Sequence, residues 1–340
     1  MFKSSFLSNF RSLLLISVLN LFILTNACAD GMPWVHQIID LTINTDFDAA
    51  ESLLTARTEK GDTSLTLDFY RASLLNSKRV HYENRISAQP FLKAVGKLIH
   101  RAEKMLVRNQ PSGKKLAQAY YYLGSAYAFL TLYEGKKNSW FSALKFGIRA
   151  RDNLKQALQA DSTLYDAMLA LGSYKYWSSA RTDWLPFVSD QRADGIRLVK
   201  KAIRYGTYSH YTGMHQLVYI LLDKGDYVQA GKWAEKCIRR YPRSAFMYWA
   251  YSHVFMKERN YAKAIDSYKT LLRLLSASKS LNPNHPLVCR ARLGDMYARS
   301  GKCKLALEQV DRILTDSFYK TKKDIPEVER LVGEIQNRCN

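Results

Sequence analysis

Five cysteines, seven histidines and one glycine-bounded basic segment are the parts of this 340-residue chain that could do chemistry, and their spacing argues against each chemistry in turn. No C-x-x-C pair exists, and His210 and His215 stand five apart with no thiol or carboxylate set beside them, so a zinc-type site is not expected. The segment Gly294 to Lys302 is the nearest approach to a phosphate-binding loop. It has six residues between its glycines where the loop needs four, and it ends in Cys303 instead of a hydroxyl residue. There is no G-x-S-x-G, no H-E-x-x-H and no dinucleotide fingerprint. The chain is therefore expected to have no catalytic residues, no metal and no cofactor.

The first residues set the compartment in which the cysteines would work. Lys3 and Arg11 precede an apolar run, Leu13 to Leu24, followed by the small residues Ala27, Cys28 and Ala29. The run is about 12 residues, short of the roughly 20 that span a bilayer, and fits the core of a secretory signal. Residues 1–29 are expected to be a signal peptide cleaved after Ala29, which places the protein in the periplasm. In the alternative reading Cys28 is the lipidated first residue of an outer-membrane lipoprotein, although Thr25 then stands where an aliphatic residue is usual. Cleavage leaves Cys237, Cys289, Cys303 and Cys339. An even count in an oxidising compartment permits pairing, and four cysteines allow three connectivities. Cys303 opens one helix and Cys339 closes a final helix packed antiparallel to it, which favours a bridge between them. Small buried thiols that only fill space are the other reading, above all at Cys237, where a small side chain is wanted.

Charge is the strongest compositional feature: 51 Lys and Arg against 30 Asp and Glu give a formal net charge of +21. The leader contributes only Lys3 and Arg11, so the remainder is itself basic. Arg197, Lys200, Lys201 and Arg204 fall at steps of three and four, Lys232, Lys236 and Arg240 recur every four, and such spacing puts each set on one helix face. An acidic partner, anionic lipid headgroups or an acidic polymer would relieve the repulsion; a solvated convex face needs no partner. No nucleic acid is expected, because no reading module accompanies the charge.

The elements that must carry these residues are helical hairpins. Gly225, Tyr227 and Ala230 recur as Arg259, Tyr261 and Ala264, and again as Gly301, Cys303 and Ala306, a period of about 34 residues between the first two. Units follow near 211–244, 245–278 and 287–320, with a loop expected around Leu281 to Pro286 from its asparagines and prolines. Upstream, Leu123, Gly124 and Tyr127 with Gly147, Ala150, Leu154 and Ala157 mark a stretched unit near 117–160. Leu171 and Gly172 with Gly195, Val199 and Ala202 mark another near 165–205. Residues 30–110 read as an N-terminal helical region in which Trp34, Phe47, Ala50 and Leu54 fall at repeat spacing, 111–340 as the repeat array, and 325–339 as a capping helix. Glycine and alanine sit where two helices must cross closely, and large residues fill between crossings.

On these residues the chain resembles a bacterial exported tetratricopeptide-repeat (TPR) protein. The resemblance implies an all-α, right-handed α-solenoid of TPR-type hairpins whose inner surface is lined by the first helix of each unit. It also implies a groove holding a partner segment, with Tyr121, Tyr176, Trp177, His215, Tyr219, Trp249 and His253 at the inward positions. None of the seven is the Lys or Asn of the carboxylate-clamp version, so apolar or aromatic anchors are the expected ligands. Packing of some of these rings between helices is the competing reading. The segment Arg181 to Ser189 carries Trp184 and Phe187 in a connection longer than the repeat requires, which reads either as part of the binding surface or as a plug between units. Two functions remain: a non-catalytic interaction scaffold binding a protein or peptide segment of the cell envelope, or a transporter-associated carrier subunit with an enclosed apolar pocket. An open groove would favour the first and a closed cavity the second.

Overall fold

A computed structural model describes residues 32–83, 85–183, 189–278, 282–322 and 325–340. The leader, with Cys28, and the loop residues Trp184 and Phe187 lie outside the described residues. Within them the chain is helical with no strand: α1 (Pro33–Ile43), α2 (Phe47–Glu59), α3 (Leu65–His81), α4 (Gln89–Arg108), α5 (Gly113–Lys136), α6 (Trp140–Ala160), α7 (Tyr165–Thr182), α8 (Arg192–Tyr205), α9 (His210–Asp223), α10 (Tyr227–Arg240), α11 (Ala245–Glu258), α12 (Tyr261–Ser276), α13 (Asn284–Arg299), α14 (Cys303–Leu314), α15 (Ser317–Lys322) and α16 (Pro326–Cys339).

Local chemistry starts and stops these helices. Ser64, Asp226, Ser244 and Asn260 each accept a hydrogen bond from the backbone N–H three residues on, satisfying a donor that the first turn leaves unpaired. The three repeat turns put Gly225, Arg259 and Gly301 at φ of 75°, 61° and 77°. Glycine takes that conformation without strain; Arg259 takes it at a cost of about 1–2 kcal/mol. The loop expected around Leu281 to Pro286 is in part helix, because α13 already begins at Asn284. Pro286 is tolerated there, since the first-turn N–H it lacks would have no intrahelical acceptor.

Helices pair as antiparallel hairpins, α5 with α6 through α13 with α14, and each hairpin packs on the next. The repeat alanines Ala230, Ala264 and Ala306 are completely buried, as their role at helix crossings requires. The stretched unit near 117–160 has a simple cause: α5 and α6 are 24 and 21 residues long, where α9 and α10 are 14 each. At the C-terminal end α16 covers α13 and α14, burying Val328, Leu331 and Ile335. Cys303 and Cys339 are disulfide-bonded with their Cα atoms 5.2 Å apart, which ties this last helix to the array, while Cys237 and Cys289 are free and buried.

Candidate functional site

The inner face of the array is not empty. Helices α1 to α3 fold back against units about 200 residues further along. Asp40 on α1 accepts a hydrogen bond from the Tyr241 hydroxyl at 2.5 Å and pairs with Arg240 at 3.0 Å. Ser244 Oγ donates to the Ile43 carbonyl at 2.6 Å. At the end of α3, Asn282 donates to the His81 carbonyl, and just past it Asn284 donates to the Glu83 carboxylate, at 2.9 and 2.7 Å. Ile39 and Ile43 join the apolar cluster built by α7 to α11. Hydrogen bonds join the arc at both contacts, and the burial of Ile39 and Ile43 adds to the first of them.

Between the two walls a partly open pocket of about 680 Å³ remains. The array supplies Tyr219, Phe246, Trp249, His253 and Arg292; the N-terminal helices supply Phe47, Asn76, Ser77 and His81, with Glu83 just beyond α3 and Lys136 from the end of α5. Arg292 lies over the Trp249 ring, 5.5 Å from its centroid, and its Nε donates to Glu327 at 2.7 Å. Burial is the largest single influence and works against its charge, but the bond and charge of Glu327 together with Tyr268 outweigh it, and the guanidinium is held more basic than usual. Burial lowers Lys136, and the nearby Arg79 charge lowers it further. The imidazoles of His253 and His285 are pushed down to about 4, first by burial and then by Arg292 and Lys257 for the former and by His81 for the latter. Glu83 lies 3.7 Å from His285 Nε2, yet burial dominates, so this contact is not an ion pair at neutral pH. The pocket therefore offers aromatic faces, hydrogen-bonding groups and balanced charge. Among the described residues no group of three His, Cys, Asp or Glu could hold a metal, and no helix is long and apolar enough to cross a membrane.

The seven inward positions divide. Tyr219, Trp249 and His253 line the pocket. His215 stands behind them, stacked on Phe246 at 4.0 Å and edge-on to Tyr219, with its imidazole lowered to about 4 by burial. Tyr176 is not a groove residue: it is fully buried and its hydroxyl donates to Asp223 at 2.6 Å. Trp177, half-buried, packs edge-on against it at the margin of the core of α7 to α11, and Tyr121 packs on Phe69 and Tyr122 between α3 and α5. The basic stripes are also partly neutralised. Arg197 pairs with Asp194 at 2.9 Å, Arg240 belongs to the closure, and Lys236 and Arg204 lie over Trp233 and Tyr205. Lys200, Lys201 and Lys232 remain exposed on the outer helices. Phe246, three residues before Trp249, is legible as a first-helix position; His81, Glu83 and Asn76 carry no signal, because nothing in a repeat pattern says that its own first helices will fill its groove.

Comparison with known proteins agrees with the fold. No protein-family model matches the chain, and no curated protein matches it. Among solved structures it is similar to PilW, a widely conserved type IV pilus biogenesis factor, at 11% identity and a TM-score of 0.51 over 80% of this chain and 99% of that one. It is also similar to a Rap protein complexed with competence and sporulation factor, at 16% identity and a TM-score of 0.45, over 90% and 86% of the two chains. The C-terminal part of a TPR repeat-containing protein from Cytophaga hutchinsonii matches at 14% identity and a TM-score of 0.44, over 87% and 98%. The chain has an all-α, TPR-type solenoid fold with a helix capping its C-terminal end.

Proposed function

We propose that this chain is a non-catalytic binding protein of the cell envelope that takes a short segment of a protein partner in the pocket between its N-terminal helices and its inner face. The observation that carries the reading is the pocket wall itself: Tyr219 and Trp249 present rings, and Asn76, Ser77 and Glu83 present hydrogen-bonding groups opposite them. A pocket of about 680 Å³ suits a chain end or an extended stretch of a few residues with one apolar or aromatic anchor better than a helix about 10–12 Å across. The basic leader and its apolar run support export, with retention by Cys28 as the alternative. The volume also favours a second reading, a carrier for a small molecule, because ligand pockets occupy about 300–1,000 Å³.

Selection from a displayed random-peptide library separates these. Selected peptides should share an anchor side chain and lose about 30-fold in affinity for Trp249→Ala, the loss typical of a buried aromatic hot spot, while Trp249→Phe keeps most of the binding. Peptides that bind Trp249→Ala and Tyr219→Ala as well as the parent would remove the pocket assignment. A small molecule retained by the parent in native mass spectrometry, and absent from both variants, would establish the carrier reading instead.

A further inference from the structure

The outer helix α6 carries an apolar stripe that the fold does not use. Phe141 is 92% exposed, Trp140 64%, Leu144 62% and Ile148 39%. At 100° per residue these four fall within one third of the helix circumference, while Ala143, Gly147, Ala150 and Leu154 form the separate, buried stripe that meets α5. Single exposed apolar residues are ordinary; four large ones on a single face mark an interaction surface. No acidic residue occurs from 135 to 151, whereas Lys136, Lys137, Lys145, Arg149 and Arg151 all do; Glu134 and Asp152, just outside, lie 4.0 Å from Lys137 and 2.8 Å from Arg151, which leaves the stretch basic overall. Lys145 is exposed beside the stripe, and Lys137 lies in the connection just before it.

We propose that this face rests on an anionic membrane surface, with Trp140, Phe141, Leu144 and Ile148 entering the headgroup and upper acyl region and Lys137 and Lys145 meeting the headgroup charges. Charge decides the occupant. A second copy would bring two basic faces together in a chain that already carries +21, whereas an anionic bilayer offers an apolar layer and a negative surface at the right separation for an interfacial helix. Tryptophan at the end of such a stripe suits the interface, where one edge of the ring is wet. This contact is independent of what the pocket holds, since α6 lies on the outside of the array.

The test uses the full chain with vesicles of phosphatidylcholine and phosphatidylglycerol in a three-to-one ratio, bearing brominated acyl chains. Quenching of Trp140, taken as the difference between the parent and Trp140→Phe, reports this site whatever other segments do. The parent should show that quenching, and the double variant Phe141→Ser, Leu144→Ser should lose it with about a 10-fold weaker vesicle affinity. Lys137→Gln with Lys145→Gln should weaken binding about 10-fold on the anionic vesicles and hardly at all on phosphatidylcholine alone. Because these side chains are exposed, circular dichroism should be unchanged in every variant. An unquenched Trp140 would overturn the proposal. So would equal binding to neutral vesicles, or a parent dimer in sedimentation velocity that Phe141→Ser, Leu144→Ser dissociates, which would make the stripe a contact between copies.

Discussion

Acidification from pH 7 should unfold this protein cooperatively, with loss of helical circular dichroism centred near about pH 5. The cause is the group of half-buried histidines around the pocket: His215, His253 and His285, each held to about 4 in the folded chain, chiefly by the burial of the imidazole, against an ordinary value of 6.5. The direction follows from proton binding. Below pH 6.5 the unfolded chain takes up protons at these side chains while the folded chain does not. Stability is therefore complete above pH 6.5 and falls as the pH drops toward 4, by about 1.4 kcal/mol per unit for each histidine. Charges already facing the group sharpen the effect, since Arg292 and Lys257 oppose protonation of His253 and only Glu327 favours it. His253→Gln with His285→Gln should move the acid midpoint down by about one pH unit. A helical signal that is flat to pH 4, or an unchanged midpoint in the double variant, would show that these side chains are not held neutral by the fold.

A single methyl group at residue 172 should cost about 3 kcal/mol or more. Helices α7 and α8 cross there in backbone contact: a Cβ on Gly172 would stand 2.7 Å from the Gly195 carbonyl oxygen, 2.9 Å from Leu198 Cβ and 3.0 Å from the Val199 nitrogen. Backbone cannot swing aside as a side-chain tip can, so Gly172→Ala must push the two helices apart and open the packing around Tyr176 and Val199. Gly195→Ala meets the reverse clash, 2.6 Å from the Gly172 carbonyl oxygen. The contrast is Gly96, exposed in the middle of α4 with nothing within 4 Å, where Gly96→Ala should stabilise by up to about 1 kcal/mol through helix propensity. Urea midpoints of the three variants give the comparison. A Gly172→Ala protein as stable as the parent would mean that α7 and α8 do not meet at these residues.

That crossing is legible in the sequence, because Gly172 and Gly195 occupy the repeat's small-residue positions and a small residue at fixed period has few other uses. Ala230, Ala264, Gly225 and Gly301 are legible for the same reason: each answers to a steric demand made by its own hairpin. Tyr219, Trp249 and His253 follow from the rule that first helices face inward. Tyr176 obeys the same register, yet Asp223 on α9 draws its hydroxyl into the core, and a pairing 47 residues away leaves no periodic trace. The closure is invisible on the same grounds. Asp40 with Tyr241 and Glu83 with Asn284 are single polar pairs between distant segments, each residue ordinary in its own stretch of sequence. The α6 stripe is hidden by its neighbour: Ala143, Gly147, Ala150 and Leu154 already satisfy the hairpin, so nothing in the repeat marks Trp140 and Phe141 as exposed.

The folded-back N-terminal helices are what turn a groove into a pocket, and one distance tests them. Spin labels at Asn44→Cys and Arg243→Cys sit on exposed residues flanking the Ile43 to Ser244 hydrogen bond, while Cys237 and Cys289 are buried and Cys303 and Cys339 are paired. Double electron–electron resonance at neutral pH should give one narrow distribution at short distance. A broad distribution at long distance would mean that the arc stands open and that its inner face is a groove after all.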